Sequence, residues 1–469
     1  MDFMKTGLVN MTNIIIRISS ILSQLFSVVT GWMITPLVQY VARHNIKKGQ
    51  LEIVIPYART IRCGDGTGEL IRLQLNRPWT FVGRLLADAR TGLGESYMFG
   101  DWSVTTPTYR STNLEAVFNL LIANRPVRRQ AVDRSTNRLL ALLFRVIQSV
   151  GQWMNAARHL RNANNLLGSR RNIEQHYDLG NDMFELFLDK SMTYSCAIFD
   201  DELHDRNNNN NDEVKKATIK NDDDDEHELL HRAQMRKFDR VLRVLNVNEN
   251  DEVLEIGCGW GSFAMHAVAR TNCRWTGLTV SRQQLQLAQQ RIADARMTER
   301  ITLKLLDYRL ETGVYTKLVS IEMIEAVGQQ FLPDYFGVIN RCLRPGGRAL
   351  VQAITVPDSK YDKYTHKPDF MKKHIFPGGH LPCLGVIRRS LPGTGELRVV
   401  EEHSIGAHYT RTLRIWQQAW MAKRPHITGA LGYTQVFHRK WQYYLALCAS
   451  LFANEYIDDV QIMLAKEHR

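Results

Sequence analysis

The feature that most constrains this chain is a turn with a glycine at every second position, placed between a strand and a helix. Residues 251–256 have the apolar, β-branched character of a buried strand, and residues 262–269 show helical periodicity. Gly257, Gly259 and Gly261 lie between them. Glycines let the backbone approach a ligand closely, and the start of the helix offers N–H donors. The segment predicts an α/β domain that binds a ligand at a strand end.

The spacing of this turn distinguishes two kinds of cofactor site. A dinucleotide site has the pattern GxGxxG with an acidic residue about 20 positions later, which fits poorly here. Glu255 instead stands two positions before the first glycine. That arrangement is typical of methyltransferases that use S-adenosylmethionine (SAM), in which the carboxylate or its neighbours meet the methionine ammonium group. The glycines then pass beneath the ribose, so the sequence predicts SAM as the cofactor.

Strands alternate with helices along the following 100 residues, which predicts a parallel, doubly wound sheet. Ligands of such sheets lie at the carboxyl ends of the strands. Asp307 stands at one of these ends and can accept a hydrogen bond from an adenine amino group. The predicted helices are 236–245 and 283–292, and the further strands are 273–280, 301–306, 318–322 and 348–354.

The amino-terminal part predicts contact with a membrane. Residues 18–42 contain no Asp, Glu, Lys or Arg, but serines, glutamines and a proline dilute the run. A membrane span, an interfacial helix and a buried helix all fit this composition. Arg43, Lys47 and Lys48 follow, so a spanning segment would leave most of the chain in the cytosol. We therefore expect the protein on the cytoplasmic side of a membrane, held peripherally or by an amino-terminal anchor.

Charge is distributed unevenly. The chain carries a net charge of +12, and residues 125–171 hold ten Arg and one Asp, a net of +9. A basic, partly apolar stretch suits an anionic phospholipid surface, although nucleic acid or a solvated helix face would also account for it. Residues 201–228 hold 11 acidic and four basic residues. Such a segment buries little apolar surface, which predicts a disordered acidic insert over 202–228.

The seven cysteines are scattered, and no CxxC pair or Cys/His cluster is present. This spacing supports neither a zinc site nor a disulfide framework, so no metal is expected. A reducing compartment is the simpler interpretation.

Several separated segments together resemble the cyclopropane-fatty-acyl-phospholipid synthase family. The resemblance covers about residue 170 to the carboxyl terminus without the acidic insert, and a weaker part resembles the family's amino-terminal lipid-handling domain. The segments are 92–98, 100–102, 176–182, 194–196, 254–261, 375–379, 381–382 and 406–409.

The resemblance implies a domain organisation. It implies a smaller α+β lipid-handling domain with a basic helical linker over 49–170, preceded by the hydrophobic membrane-contacting segment 1–48 that the composition predicts. Residues 171–469 form the catalytic domain, a class I SAM-methyltransferase sheet with helical additions. A homodimer is left open.

The resemblance also implies a reaction. In this family a methylene from SAM is added across a cis double bond of an acyl chain in a phospholipid. A carbocation forms on the chain, a bound bicarbonate ion serves as the base, and a cyclopropane ring closes. An alternative is a SAM-dependent methyltransferase that leaves a methylene or methyl branch. A more remote one is a non-catalytic or nucleic-acid-directed SAM-binding protein, but no nucleic acid partner is expected.

Site residues follow from the same resemblance. Gln352 and Ala326 stand where cyclopropanating members commonly have His, which leaves the proton relay of the base open. The implied cofactor contacts are Tyr194, Ser195, Glu255, Gly257, Gly259, Gly261, Thr279, Val280, Gln284, Asp307 and Tyr308. The implied catalytic residues are Cys196, Glu325, Gln352, Ile354, Tyr409 and Cys448, with Cys196, Glu325, Ile354 and Tyr409 forming the bicarbonate cradle.

Overall fold

A computed structural model describes the protein at residues 33–56, 58–105, 113–125, 180–200, 222–365, 369–393 and 396–468. The chain divides into two compact units. The first comprises Met1–Gly151 and Gln435–Tyr443, and the second comprises Gln152–Thr434 and Tyr444–Arg469. The first unit thus includes nine residues that the sequence analysis assigned to the catalytic domain.

The first unit is built on a four-stranded sheet. Its strands are β1 (Gln50–Val54), β2 (Ile61–Cys63), β3 (Leu70–Leu75) and β4 (Trp102–Val104), in the order β2-β1-β3-β4. Only the β1–β3 pair is parallel. Residues 33–45 are helical, and the further helices are Pro78–Ala87, Ala89–Met98 and Asn113–Ala123. The indole of Trp102 is fully buried and donates to Ser96 Oγ at 3.0 Å, which ties β4 to the helix before it.

The second unit is built on a seven-stranded sheet. The parallel strands are β5 (Glu252–Ile256), β6 (Arg274–Thr279), β7 (Ile301–Leu305), β8 (Tyr315–Ile321) and β9 (Leu343–Thr355). Strands β10 (Leu397–Ser404) and β11 (Asp458–Lys466) complete the order β10-β11-β9-β8-β5-β6-β7. The prediction of a doubly wound α/β sheet is confirmed.

Two strands depart from the predicted parallel arrangement. Strand β11 pairs antiparallel with β9, and β10 pairs antiparallel with β11. Three helices, Gly406–Ala422, Arg424–Thr428 and Gln435–Ala453, separate β10 from β11 in the sequence. The sheet is therefore mixed, and its antiparallel edge comes from a part of the chain for which no strand was predicted.

Helices cover the sheet of the second unit. The parallel strands are buried on both faces, so they are continuously apolar, as in Leu254, Leu318 and Val351. Phe238 and Phe263 from two covering helices stack with ring centroids 4.6 Å apart. The helices of the second unit are Asn181–Glu185, Asp222–Leu245, Ser262–Thr271, Arg282–Asp294, Leu332–Cys342, Asp358–Thr365, Phe370–His374, Leu384–Arg389, Gly406–Ala422, Arg424–Thr428 and, from Tyr444 onward, Gln435–Ala453.

One predicted helix is longer than expected, and several predicted segments lie wholly or partly outside the described residues. The helix predicted over 236–245 begins at Asp222, so residues 222–228 of the acidic insert are helical rather than disordered. Residues 202–221 lie outside the described residues, as do 18–32, 126–171 and the motif residues 176–179. None of the helices in the described part is long and apolar enough to cross a membrane.

Candidate active site

A cavity opens at the carboxyl ends of the parallel strands of the second unit. Residues that directly follow β5, β6, β7 and β8 line it, together with Met192–Ser195. This is the edge at which the sequence predicted a ligand. Ten of the 11 predicted cofactor contacts line the cavity, namely Tyr194, Ser195, Glu255, Gly257, Gly259, Thr279, Val280, Gln284, Asp307 and Tyr308.

The three glycines of the glycine-rich turn differ in what surrounds them. All three have positive φ, from 51° to 86°. A Cβ added at Gly259 would have no neighbour within 4 Å, whereas one at Gly257 would lie 3.0 Å from Cγ of Met323. Gly261 does not line the cavity, because a Cβ there would lie 3.3 Å from Cβ of Ala288. Gly261, for which a cofactor contact was also predicted, is therefore the glycine of the three whose small size serves helix packing.

Glu255 lies deep at the end of β5. Its Oε2 accepts a hydrogen bond from Trp275 Nε1 at 2.9 Å. Burial raises the pKa of Glu255 to about 7, and the Trp275 hydrogen bond opposes this rise. A cationic ligand group would favour the ionised carboxylate, so this position suits the ammonium group for which it was predicted.

Polar side chains at the ends of β6 and β7 already take part in hydrogen bonds within the protein. Thr279 Oγ1 donates to Gln284 Oε1 at 3.0 Å, so the amide nitrogen is the end of Gln284 that Thr279 leaves for a ligand. Asp307 accepts from Arg309 Nε at 2.8 Å and from a terminal guanidinium nitrogen at 2.7 Å. A carboxylate offers about four lone-pair sites, so Asp307 retains acceptor capacity for an adenine amino group.

Three carboxylic acids, Glu322, Glu325 and Asp459, form an acid cluster beside the cavity. Oε1 of Glu322 accepts from the backbone N–H of Cys196 at 2.7 Å, and its Oε2 accepts from the Tyr409 hydroxyl at 2.6 Å. The side-chain amide of Gln352 donates both to Oε1 of Glu322 at 2.9 Å and to Oδ2 of Asp459 at 2.8 Å. Of the three acids, Glu322 lines the cavity.

Glu325 does not share the donors of Glu322 and Asp459. Its Oε1 accepts from the backbone N–H of Ile354 at 2.6 Å, and its Oε2 has no hydrogen-bond partner among the described residues. Burial, together with the nearby Glu322 carboxylate, raises the pKa of Glu325 to about 8. At pH 7 Glu325 is therefore mainly neutral.

Sequence reasoning missed several groups around the acid cluster. Lys237 is fully buried and donates to Ser195 Oγ, and burial lowers its pKa to about 8. Gln461 donates to Oε1 of Gln352 at 3.0 Å and accepts from Arg240 at 2.6 Å. Asp459 and Gln461 could have been suspected, because polar residues alternate there with apolar ones in a buried strand.

The predicted catalytic residues thus fall into two groups. Cys196, Gln352, Ile354, Tyr409 and Glu325 meet around the acid cluster. Cys448 lies on the helix Gln435–Ala453, and none of the hydrogen bonds among the described residues joins it to that cluster. Burial raises the pKa of its thiol, so a thiolate is disfavoured there.

Aromatic rings extend from the cavity wall into the core of the second unit. Tyr194 lines the cavity, and its ring centroid lies 5.4 Å from that of Phe184 and 5.3 Å from that of Trp416. Its hydroxyl is 2.7 Å from the hydroxyl of Tyr444. Within the part of the chain that the structure describes, no three His, Cys, Asp or Glu side chains are placed so that they could hold a metal ion together.

Comparison with known proteins agrees with this geometry. The family model for mycolic acid cyclopropane synthetase matches residues 165–462, more than half of the chain. The chain belongs to this family. It is 36% identical over 421 residues to the tuberculostearic acid methyltransferase UfaA1 of Mycobacterium tuberculosis, covering 89% of this chain and 88% of the relative.

Two further proteins extend the comparison. The cyclopropane-fatty-acyl-phospholipid synthase of Escherichia coli K12 is 28% identical over 399 residues, which cover 82% of this chain and 86% of that protein. The mycolic acid cyclopropane synthase CmaA1, solved with SAH and CTAB, covers 63% of this chain and 98% of its own, with 28% identity and a TM-score of 0.54. The protein is a SAM-dependent methyltransferase with the α/β fold of that class.

The cavity of this family member fits SAM. Open space faces Gly259, a carboxylic acid lies at Glu255, and polar side chains follow the next two strands at Gln284 and Asp307. These residues would hold the nucleoside and amino-acid portions, and bound SAM supplies an electrophilic methyl group.

Bicarbonate does not fit the cradle predicted for it. Two of the expected donors, Cys196 N–H and Tyr409 O–H, already bind Glu322, and Ile354 N–H binds Glu325. The fourth member, Glu325, is itself an acid. The protein's own carboxyl groups therefore fill the positions in which the resemblance places the ion.

The open space at Gly259 generates a prediction. We expect Gly259→Val to lower SAM affinity by roughly tenfold or more, because the side chain would project into the cavity. Gly432→Val is the matched control, since Gly432 also has a positive φ, of 67°, and no neighbour within 4 Å, but does not line the cavity. Calorimetry measures both affinities, and thermal unfolding verifies that both variants fold. Unchanged SAM binding by Gly259→Val would contradict the assignment.

The buried Glu325 predicts a pH dependence of stability. Its pKa rises from 4.5 to about 8 on folding, so between these values the folded state keeps a proton that the unfolded state releases. This contribution lowers stability as pH rises through that window, by at most about 1.4 kcal/mol per pH unit. Glu325→Gln removes it, so the variant should gain stability relative to wild type from pH 5 to pH 8. Parallel urea-unfolding stabilities of the two proteins would refute this.

Proposed function

We propose that the protein transfers the methyl group of SAM to a carbon of a cis double bond in the acyl chain of a phospholipid, and then removes a proton. One observation carries the proposal: a cofactor cavity with an aromatic wall shares the residue Glu322 with a buried acid cluster. Methylation of an alkene requires a methyl donor, shelter for a positive charge and a proton acceptor. These three elements adjoin one another in the second unit.

The aromatic wall suits the charge that the reaction creates. An alkene is a weak nucleophile, and its methylation leaves a carbocation on the acyl chain. The ring of Tyr194 lines the cavity, and its face carries negative quadrupole charge that stabilises a cation. Phe184 and Trp416 are fully buried against Tyr194, so the wall behind it admits no water that would otherwise capture the cation.

We infer that the product carries a methylene branch. The relative that shares 36% identity over 89% of this chain is named a tuberculostearic acid methyltransferase, and a second, from Pseudomonas putida, a probable fatty acid methyltransferase. Gln352 and Ala326 also depart from the cyclopropanating pattern. The cyclopropane ring is the second candidate, which the family model and the Escherichia coli relative favour.

The product can be tested directly. We expect incubation with SAM carrying a ¹³C methyl group and vesicles of cis-unsaturated phospholipid to add one labelled carbon to the acyl chains. Mild catalytic hydrogenation followed by mass spectrometry should then show uptake of hydrogen at a methylene branch, because a cyclopropane ring resists that treatment. A labelled chain that resists hydrogenation would establish the ring instead, and unlabelled chains would contradict the proposed function.

We further propose that the enzyme meets its substrate at an anionic membrane surface. The net charge of +9 over residues 125–171 supports this, since each basic residue near such a surface contributes about 1 kcal/mol. The attraction acts over roughly 8 Å at physiological salt. The protein would then work on the cytoplasmic side of a membrane.

Replacing Arg128, Arg129, Arg134 and Arg138 together with Gln should weaken binding to anionic vesicles and reduce its salt dependence. The control replaces four exposed arginines of the described part, which are Arg62, Arg270, Arg274 and Arg398. Co-sedimentation across a salt series measures both variants. Equal losses in the two variants, or equal binding to neutral vesicles, would contradict a docking role for this segment.

A further inference from the structure

We propose that the carboxylate of Glu322 replaces the bound anion in this enzyme and is the general base that takes the proton from the transferred methyl carbon. This inference rests on the proposed function and names the residue that completes it. Three lines of observation lead to it: the donors around Glu322, the charges around it, and its backbone.

The donors converge on Glu322 as they would on a small oxyanion. One backbone N–H, one hydroxyl and one amide N–H, from Cys196, Tyr409 and Gln352, approach its two oxygens within 2.6–2.9 Å. Cys196 and Tyr409 are two of the four residues for which the sequence resemblance implied bicarbonate contacts. A carboxylate presents the same planar pair of oxygens as bicarbonate, so the same donors serve it.

The surrounding charges disfavour an additional anion. Glu325 and Asp459 keep their protons, so Glu322 supplies the negative charge of the cluster, and the charge of the buried basic Lys237 already acts on it. In a weakly polar interior, a further negative charge beside Glu322 would be strongly repelled. A base that belongs to the protein avoids this repulsion, because its charge is already matched by donors.

The backbone holds Glu322 in an unusual conformation. Its φ is +48°, a left-handed value that costs a residue other than glycine on the order of 1 kcal/mol or more. The residue directly follows β8, and its N–H donates to the carbonyl oxygen of Gln352 at 2.9 Å. This conformation places one side chain both in the donor cluster and on the cavity surface.

Protonation within the acid cluster favours Glu322 as the ionised member. Burial and the Glu322 charge raise the pKa of Asp459 far above its usual range, so Asp459 holds a proton. Burial also raises the pKa of Glu322, although the Tyr409 hydroxyl and the Cys196 N–H oppose the rise. A base with a raised pKa accepts a carbon-bound proton more readily. Gln352 and Asp459 act as positioning residues.

The proposed step conserves atoms and charge. The alkene carbon gains the methyl group, SAM leaves as S-adenosylhomocysteine, and the neighbouring carbon becomes cationic. For a branch, a hydride then moves from the methylated carbon to its neighbour, so the methylated carbon carries the charge. Glu322 takes a proton from the methyl group, and the released electron pair forms the double bond of the methylene branch. For a ring, the same pair forms the third carbon–carbon bond without the hydride shift.

Glu322→Gln tests the base directly, because glutamine keeps the shape but cannot accept the proton. We expect turnover to fall by roughly 10²–10⁴-fold, the usual contribution of a general base, with SAM affinity within about twofold of wild type. The matched control is Glu402→Gln, which makes the same chemical change on β10, where Glu402 forms an ion pair with Arg388. Turnover of Glu322→Gln near that of wild type would overturn the proposal.

Glu322→Gly tests whether the carboxylate occupies an anion site. Glycine adopts a φ of +48° without strain, so this variant should fold. Added bicarbonate or formate should restore its turnover, while wild-type turnover in carbon-dioxide-depleted buffer should not respond to bicarbonate. A wild-type requirement for bicarbonate, or a SAM-binding Glu322→Gly that neither ion restores, would overturn the inference. Absence of labelled acyl chains with the wild-type enzyme would instead identify failure of the proposed function.

Discussion

The burial of three carboxylic acids beside one cavity is the constraint on which the rest of the catalytic unit depends. Ionised carboxylates are costly to bury unless donors surround them, and neutral ones still need hydrogen bonds. The donors for Glu322 come from three separate parts of the chain: Cys196, Gln352 and Tyr409. The site can therefore form only when the segment before the acidic insert, the sheet and the helix after β10 are all assembled.

The antiparallel edge of the sheet has a functional consequence. Strand β11 lies beside β9 in a register that pairs Gln461 with Gln352 and Asp459 with Ile354. This register brings the Asp459 carboxyl group and the Gln461 amide next to Gln352, which binds Glu322. Arg240 in turn donates a hydrogen bond to Gln461. The two added strands thus complete the hydrogen-bond network of the catalytic site as well as the hydrophobic core.

Much of the fold and the cofactor cavity could be predicted because their signals are local. Glu255 and the alternating glycines lie within one strand and one turn, and the polar residues at the next strand ends occupy equivalent positions. Gly261 shows the limit of such signals, since its neighbour Ala288 lies on the following helix and no spacing rule separates a packing glycine from a binding one. The antiparallel strands were missed because they come late in the chain, beyond the regular alternation of strands and helices, and three helices separate β10 from β11.

The acid cluster could be predicted only in part. Glu322 was visible at a strand end, but its partners Cys196 and Tyr409 lie 126 and 87 positions away in the sequence. The resemblance implied that those two residues bind an ion, whereas in the structure both donate hydrogen bonds to Glu322. Whether a donor set binds a free ion or a side chain depends on backbone geometry, here the left-handed φ of Glu322, which sequence patterns do not specify.

A crystal structure of the enzyme with S-adenosylhomocysteine, grown in bicarbonate-containing buffer, tests the central claim most directly. Our account predicts continuous electron density for the Glu322 side chain between the Cys196 N–H and the Tyr409 hydroxyl, with the carboxylate facing the cofactor. A separate planar ion bound by those two donors, with Glu322 turned away from them, would contradict it.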